Sequence, residues 1–397
     1  MCSKKELSHP IVAHVMRTYL GLSETFIYSI LMNAHRFQPV VVTDEIENLN
    51  LFPFEPLYVL SSIPRYSWWW LVNSLHYRLT DKGEFFEYMT YVRHVIKKTN
   101  TRLIHAHFGP LGVRMIPVKR ALDVPLVTTF YGYDMSELPR LPEWQAAYAR
   151  LFAEGDLFLV EGGHMRKALI ALGCPEYKVQ VQRIGVVLDK LSFRERRLEP
   201  GQKVIVLFCG RFTEKKGLIY ALKALTRVVV KVPNLELRII GDGEGRSEIE
   251  RYVAEYHLEP YVRLLGYQPH QVFYEQLEEA HLFIQPSVTS VNGDTEGGAP
   301  TVILEAQACG VPVLSTYHAD IPEVVRDGES SLLVPERDPD MLAEKWLELV
   351  TSPERWPAMG RVGRQHVETA HDIQNLTVQL EDRYQQLLEQ RRVGTYD

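Results

Sequence analysis

Short apolar runs rich in β-branched residues recur along the chain, and a stretch with helical spacing follows each of them. Five lie in the first half and five follow residue 200: 10–16, 39–43, 102–108, 125–130 and 157–160, then 203–210, 235–241, 262–266, 282–287 and 311–316. Continuous apolar strands that alternate with helices are typical of parallel sheets covered on both faces. The two series therefore predict an α/β chain with two doubly wound, Rossmann-like parallel-sheet domains that face a cleft.

Length and charge suggest the domain boundaries. The chain has 397 residues, whereas single domains usually hold about 50–200. The charged stretch DKLSFRERRLEPGQ separates the two series of strands. We predict a first domain over 1–185, a linker over 186–202 and a second domain over 203–370. The last segment, 371–397, is predicted to be a helix that packs back toward the first domain.

Composition narrows the function classes. Residues 1–200 carry 24 Lys+Arg against 20 Asp+Glu, and the rest carry 20 against 30, which gives the net charge of −6. Nucleic-acid-binding proteins are usually more basic, so we expect no nucleic-acid partner. No apolar run approaches the roughly 20 residues that cross a bilayer, and the start MCSKKELSHP lacks the apolar segment of a secretory signal. Four scattered cysteines show no metal-ligand spacing. These features predict a cytoplasmic protein.

One aromatic segment leaves two interpretations open. Trp68, Trp69 and Trp70 are consecutive within PRYSWWWLVNSLHYRL. Amphipathic aromatic residues collect at membrane interfaces, which would place the protein peripherally on the inner face of the plasma membrane. The alternative is a helix that packs one or two of these side chains into the core of the first domain.

The segment CGRFTEKKGL follows the first strand of the second domain. Gly210 ends the strand, Arg211 lies in the loop, and Lys215, Lys216 and Gly217 are expected to open a helix. A helix N-terminus presents unpaired N–H groups to anions, a guanidinium binds phosphate in a bidentate manner, and an ammonium adds a point charge. The segment predicts a diphosphate site; a solvated basic helix start is the alternative.

Two glutamates flank a glycine-rich bend in GDTEGGAPTVILEAQACG. Glu296, Gly297 and Gly298 lie in the bend, and Glu305 lies in the helix that follows. Such carboxylates serve as the acid and base of a hydrolase, as metal ligands, or as acceptors for the hydroxyls of a sugar or ribose. Only Asp294 is nearby, so we expect no metal.

Three loops of the first domain follow strands. His105 and His107 end one strand on the same face, and a hydrogen-bonded pair is favoured over a metal site because no third ligand is evident. Tyr131 and Asp134 follow the next strand, and Gly21 follows the first strand. Ligands of open α/β sheets bind beyond the carboxyl ends of strands, so all three loops are expected to face the ligand.

Together, GRFTEKKG, the two-glutamate loop, LEAQACGVPVLST, DIPEVVRDG and HAHFG resemble the GT-B fold retaining glycosyltransferases of family 4, the glycosyl transferases group 1. SETFI is similar to the branch that acts in exopolysaccharide and colanic-acid-type assembly. The resemblance covers nearly the whole chain and is strongest over 203–335. It implies transfer of a hexose from a nucleotide diphosphate sugar to a saccharide or lipid-linked acceptor, with a UDP-sugar favoured over GDP-mannose and with neither a metal nor another cofactor.

The resemblance also implies roles for individual residues. Arg211 and Lys216 would bind the diphosphate and stabilise charge on the departing nucleotide, and Glu305 would accept hydrogen bonds from the ribose. Glu296 and the N–H groups of the two following glycines would hold the hexose. The remaining substrate-binding residues implied in the two domains are Gly21, His107, Tyr131, Asp134, Gly210, Tyr267, Gly297 and Gly298.

Three departures from the family pattern stand out. Eight residues separate Glu296 from Glu305 where the family usually has seven, Tyr131 replaces a frequent histidine, and Val187 replaces a frequent aspartate. The first two leave open whether Tyr131 or His107 contacts the transferred sugar. A GT-B epimerase or phosphorylase-like enzyme, and a non-catalytic nucleotide-sugar-binding protein, are the alternative functions.

Overall fold

The computed structural model describes residues 9–21, 24–60 and 83–393. Their folding divides the chain into two compact units. The first unit comprises Met1–Val160, Arg166–Gln182 and Ile373–Asp397, and the second comprises Glu161–Met165 and Arg183–Asp372. Residues 186–202, the predicted linker, lie within the second unit.

The first unit is built on a parallel sheet that has seven strands in the described part of the chain. Their order is β3-β2-β1-β4-β5-β6-β7. The strands are β1 (Ile11–Tyr19), β2 (Gln38–Ile46), β3 (Leu57–Val59), β4 (Leu103–His107), β5 (Leu126–Thr129), β6 (Leu157–Val160) and β7 (Val179–Val181). The five predicted strands are confirmed. The sequence missed β3 and β7, since three residues carry too little pattern to be told from a loop.

Helices connect these strands. In the described residues they are α1 (Thr25–Met32), α2 (Gly83–Thr99), α3 (Gly109–Leu122), α4 (Tyr133–Ser136), α5 (Pro142–Glu154) and α6 (Gly163–Ala171), with 3-10 turns at Leu138–Arg140 and Glu176–Lys178. Strands β4, β5 and β6 are buried along their whole length. This two-sided burial explains why their sequences are continuously apolar rather than alternating.

The second unit contains a parallel sheet of six described strands in the order β10-β9-β8-β11-β12-β13. They are β8 (Val204–Cys209), β9 (Leu235–Ile240), β10 (Val262–Gly266), β11 (Leu282–Gln285), β12 (Val313–Thr316) and β13 (Ser331–Val334). The five predicted strands are confirmed, and β13 was missed. Both sheets have the doubly wound topology that the sequence predicts.

The helices of the second unit cover its sheet. Those described are α7 (Leu218–Lys231), α8 (Arg246–Glu255), α9 (His270–Glu279), α10 (Thr301–Ala308), α11 (Ile321–Val324), α12 (Pro339–Val350) and α13 (Trp356–Ala370), with 3-10 turns at Leu188–Lys190, Glu214–Lys216 and Pro353–Arg355. Helices α7 and α12 pack beside each other. Their apolar faces join the sheet in one core, with Trp346 and Trp356 fully buried.

The last helix, α14 (Ile373–Val393), belongs to the first unit. The carboxylate of Glu381 accepts hydrogen bonds from the backbone N–H groups of residues 35–37 at 2.7–3.0 Å. Arg383 donates to the side chains of Gln180 and Gln182 near strand β7. Because these contacts satisfy buried polar groups, the C-terminal helix is an integral part of the first unit.

Gly217 marks a close approach of two backbones in the second unit. Its φ of +70° is left-handed, and a Cβ atom there would lie 1.8 Å from the carbonyl oxygen of Pro286. The loop after β8 therefore packs against the end of β11, an approach that only glycine permits.

We predict that G217A destabilises the protein much more than G201A. Gly201 is a matched control because its φ is +80° and nothing lies within 4 Å of its missing side chain. The control should cost about 1 kcal/mol of backbone strain, and the clash in G217A should add about 1–3 kcal/mol. Urea unfolding of both variants measures the difference. Equal free energies of unfolding would show that the approach to Pro286 is not a tight constraint.

Candidate functional site

The topology of the second sheet defines where a ligand is expected. Strand β8 lies between β9 and β11: the chain runs from β8 to β9 and β10 on one side of the sheet and then crosses to β11 on the other side. In doubly wound sheets the crevice beyond the carboxyl ends of two such strands is the usual ligand site. The loops after β8 and β11 carry Arg211, Lys216 and Glu296, which are the predicted catalytic residues.

An ion pair joins these two loops. The Nζ atom of Lys216 lies 2.7 Å from Oε2 of Glu296, and the hydroxyl of Ser287 donates to Oε1 at 2.8 Å. Only 7% of the Glu296 side chain is exposed. Burial opposes its ionisation, but the charge and hydrogen bond of Lys216 outweigh it and lower the pKa of Glu296 below its ordinary value. Both carboxylate oxygens are therefore occupied by groups of the protein.

The neighbouring Lys215 has a structural contact with the same loop. Its ammonium lies 2.8 Å from Asp294 and donates to the carbonyl of Thr295 at 3.1 Å. Lys215 is buried. The adjacent lysines thus bind two acidic residues that are separated only by Thr295, and Asp294 serves as an ion-pair partner.

The start of the predicted phosphate helix differs from the expectation. Lys216 lies in the 3-10 turn Glu214–Lys216, and helix α7 begins only at Leu218 after left-handed Gly217. The prediction that Lys215, Lys216 and Gly217 open a helix holds for Gly217, which is the N-cap of α7, and is wrong for the two lysines, which lie in the 3-10 turn before it. Arg211 is exposed, and no ion pair to it is found among the described residues.

Glu305 differs from Glu296 in having one oxygen without a partner. Its Oε1 atom is 2.7 Å from Nε2 of His270 and accepts from the hydroxyl of Tyr274 at 3.2 Å. Its Oε2 atom is buried and has no hydrogen-bond partner in the part of the chain that the structure describes. A buried acceptor without a donor is costly. A ligand that brings a hydroxyl donor would remove this cost.

The glycine-rich bend has little room for side chains. Gly297 has a φ of +77°. A Cβ atom at Gly298 would lie 1.7 Å from the carboxylate of Glu161. Gly210 and Tyr267 also follow strands of this sheet, and Tyr267 is 58% exposed. The roles predicted for these four residues stay predictions.

The histidines of the first unit form a larger cluster than the sequence predicts. His14 on β1 joins His105 and His107, whose rings stack at 4.4 Å. His107 is bonded to Tyr131 at 2.7 Å and to His14 at 3.0 Å, and His105 is bonded to Thr129 and Tyr384. The expectation of a pair bonded to each other is wrong, because each ring bonds other partners. A third histidine, which the sequence did not reveal, lies 91 residues before His105.

These imidazoles are uncharged near neutral pH. Burial lowers the pKa of His14 to about 3, and burial together with the neighbouring histidines lowers the pKa of the other two well below 6.5. Their ligating atoms lie within 4.8 Å of one another. Five of the six ring nitrogens already take part in hydrogen bonds. The cluster is therefore built as a hydrogen-bond network.

The other predicted residues of the first unit have mainly local contacts. Asp134 is fully buried and accepts from the N–H groups of Gly109 and Tyr131, and burial raises its pKa to about 7 despite these bonds. Its carboxylate thus ties two loops together inside the unit. The N–H of Gly21 donates to Glu24. The tryptophans at 68–70 lie outside the described residues.

Comparison with known proteins identifies the class. The solved structure of Anabaena HepE in complex with UDP superposes with a TM-score of 0.76 and 16% identity over 95% of this chain and 100% of that one. The structure of WaaG, a glycosyltransferase involved in lipopolysaccharide biosynthesis, superposes with a TM-score of 0.64 and 16% identity. The superposition covers 94% of this chain and 98% of WaaG. The fold is thus the GT-B glycosyltransferase architecture.

The family follows from sequence models. Glycosyltransferase Family 4 matches residues 53–190, and Glycosyl transferases group 1 matches residues 189–366. Together the two matches cover most of the chain. The chain belongs to the group 1, family 4 glycosyltransferases.

Curated relatives match part of the chain. The putative colanic acid biosynthesis glycosyltransferase WcaL of Salmonella typhimurium is 35% identical over 245 residues, covering 61% of this chain and 60% of the relative. The amylovoran biosynthesis glycosyltransferase AmsK of Erwinia amylovora is 36% identical over 245 residues, with the same coverage. The chain thus spans about 60% of the length of these relatives. Every helix in the described ranges is too short or too polar to cross a membrane.

The contact between His270 and Glu305 yields a pH prediction. Burial opposes the charged imidazole, but the hydrogen bond and charge of Glu305 outweigh it and raise the pKa of His270 above 6.5. The bond therefore adds stability below the unfolded-state pKa, and this stability is lost as the pH rises through the folded-state pKa. We expect E305Q to lower the free energy of unfolding more at about pH 5.5 than at about pH 9.

Urea unfolding at the two pH values measures this difference. E275Q, an exposed substitution on the same helix as His270, is the control and should show no such dependence. An equal cost of E305Q at both pH values would contradict the coupling.

Proposed function

We propose that this chain is a retaining, metal-independent glycosyltransferase that moves a hexose from a nucleotide diphosphate sugar to a saccharide or lipid-linked acceptor. Membership of the family supports transfer chemistry. The observation that carries the proposal is the buried Oε2 of Glu305, for which the described residues offer no hydrogen-bond donor, at the same sheet edge as Arg211 and the Lys216–Glu296 pair. A ribose hydroxyl is a donor of the kind that this oxygen lacks.

The cations would act on the diphosphate. Bond cleavage leaves negative charge on the departing nucleotide, and fixed positive groups aimed at that charge lower the barrier. Arg211 is exposed and therefore available to a phosphate. The ammonium of Lys216 would contact both the phosphate and the carboxylate of Glu296, which lies 2.7 Å from Nζ. These two side chains would supply the charge that other transferases take from a metal.

Glu296 would hold the hexose after the donor binds. In the free protein its carboxylate already accepts hydrogen bonds from Lys216 and Ser287. A diphosphate that draws Lys216 away would free Oε2 to accept from a sugar hydroxyl. Donor binding and sugar recognition would then be linked through one lysine.

Relatives support a choice of nucleobase and pathway by analogy. HepE was solved with UDP, and a relative in Corynebacterium glutamicum, 35% identical over 180 residues, is a GDP-mannose-dependent mannosyltransferase. The names of WcaL and AmsK point to extracellular polysaccharide. We favour a UDP-sugar donor, GDP-mannose being the second choice, and a role in cell-surface polysaccharide synthesis. A thermal-shift screen of UDP-, GDP- and ADP-sugars tests the donor, since a ligand of the folded state raises Tm.

We expect R211A to lower kcat by about 100-fold or more, because removal of one charge-stabilising group usually costs that much. Tm should not change, since Arg211 is exposed. R251A, at an exposed position on α8, is the matched control and should keep wild-type turnover. Full transfer by R211A with a verified donor would refute the assigned role.

Transfer should continue in excess EDTA, because the proposed charge stabilisation comes from two side chains. The assay compares initial rates with EDTA and with added Mg²⁺ or Mn²⁺, and proton NMR of the product reads the anomeric configuration. Loss of activity that a divalent cation restores would refute metal independence. An inverted product would refute retention, and an epimerised donor formed without acceptor would favour the epimerase.

A further inference from the structure

The loop from Val288 to Glu296 is closed by two side chains from other strands. His318 follows β12, and Glu336 follows β13. The backbone N–H of Glu296 donates to Nε2 of His318 at 3.1 Å. Nδ1 of His318 lies 2.6 Å from Oε1 of Glu336, whose Oε2 accepts from the N–H of Thr289 at 2.7 Å. One chain of hydrogen bonds thus links both ends of the loop.

These bonds determine the tautomer of His318. A backbone N–H is only a donor, so Nε2 must accept and carry no proton. The proton of the neutral ring therefore resides on Nδ1 and is donated to Glu336. A carboxylate in this position selects the tautomer in the same way as the partners of metal-bound or catalytic histidines do.

Burial and further hydrogen bonds hold His318 and Glu336 in place. The His318 side chain is 1% exposed. Burial raises the pKa of Glu336, but the hydrogen bonds from Thr289 and His318 outweigh it and hold that pKa below its ordinary value. Arg337 donates to the carbonyl of Thr289 and forms an ion pair with Glu214. The Glu296 end of the loop is thus held by His318, and the Thr289 end is held by Glu336 and Arg337.

We propose that His318 and Glu336 are positioning residues that set the location of Glu296 for sugar transfer. The inference rests on the proposed function, because it gives a purpose to the fixed backbone of Glu296. The bonds act on the backbone, so they place the carboxylate without touching it. Nucleotide binding is assigned to Arg211, Lys216 and Glu305, and the hydrogen bonds of His318 and Glu336 reach none of these three residues.

The E336Q variant tests the tautomer argument. A carboxamide has only one acceptor oxygen, whereas Thr289 N–H and the Nδ1 proton of His318 both need one. The oxygen is expected to face the N–H of Thr289, which can only donate, because Nδ1 of His318 can change tautomer and accept. The amide then donates to Nδ1, the proton moves to Nε2, and that nitrogen faces the N–H of Glu296. An unmet buried donor is costly, so we expect kcat with the nucleotide sugar to fall about 10–100-fold.

Two further variants separate positioning from general damage. H318Q can offer its amide oxygen near the position of Nε2 and should keep most of the turnover, whereas H318A should lose as much as E336Q. E329Q, at an exposed position in the same unit, is the matched charge control. For E336Q and H318A, the Kd of the free nucleoside diphosphate should stay within about twofold of the wild type, as expected for a loss confined to turnover.

NMR tests the geometry without any activity. With ¹⁵N-labelled histidine and glutamate, the wild type should show Nε2 of His318 unprotonated and a coupling across the hydrogen bond to the Glu296 amide. E336Q should lose the unprotonated state of Nε2 and the coupling to the Glu296 amide. If the wild type transfers no sugar, the proposed function fails while this spectrum still decides the hydrogen bonds.

Three results would overturn the inference. One is a protonated Nε2 in the wild type, and another is turnover of E336Q equal to that of E329Q. The third is a fall in diphosphate affinity as large as the fall in kcat, since it would show a general collapse of the site.

Discussion

The ion pair between Lys216 and Glu296 is the contact on which the candidate site depends. It joins the loop after β8 to the loop after β11, at the point where the sheet reverses its strand order. Removing one partner of a buried pair leaves an uncompensated charge. The pair therefore balances charge in the free protein and holds two functional side chains within hydrogen-bond distance. The phosphates of the proposed donor would compete with Glu296 for the ammonium of Lys216, so donor binding would alter this ion pair.

The two glutamates of the motif have become distinct in chemical terms. Glu296 is fully engaged, with Lys216 and Ser287 on its oxygens. Glu305 is held from one side by His270 and Tyr274 and leaves its other oxygen without a partner among the described residues. The carboxylate of Glu296 is thus held in an ion pair, whereas that of Glu305 has an oxygen that can accept a hydrogen bond from a ligand. Neither arrangement resembles an acid that must protonate a leaving group.

The sequence predicted the sheets well because long apolar runs carry a strong local signal. Short strands such as Leu57–Val59 and Val179–Val181 carry too few residues for that signal. At the site, the cations and glutamates were visible as a local motif. Their partners were not, since His270, His318 and Glu336 come from other strand ends, and their pairing exists only after folding.

The sequence pattern also did not reveal the backbone conformation of single residues or the contacts that strand pairing creates. The two lysines looked like part of a helix start, yet they form a separate 3-10 turn, and left-handed Gly217 lies between that turn and α7 as the N-cap of the helix. His14 gave no sign of a link to His107, because the parallel pairing of β1 with β4 brings them together. In each case a tertiary contact decided the outcome over the local preference.

The proposed role of Glu305 is to accept hydrogen bonds from the ribose of a nucleotide sugar. Calorimetry with the preferred nucleoside diphosphate and its 2′,3′-dideoxy analogue tests this most directly. The wild type should bind the ribonucleotide about 10–100-fold more tightly, as expected for a hydrogen bond to a charged group, and E305Q should lose most of that preference. Equal binding of the two nucleotides by the wild type would contradict the account.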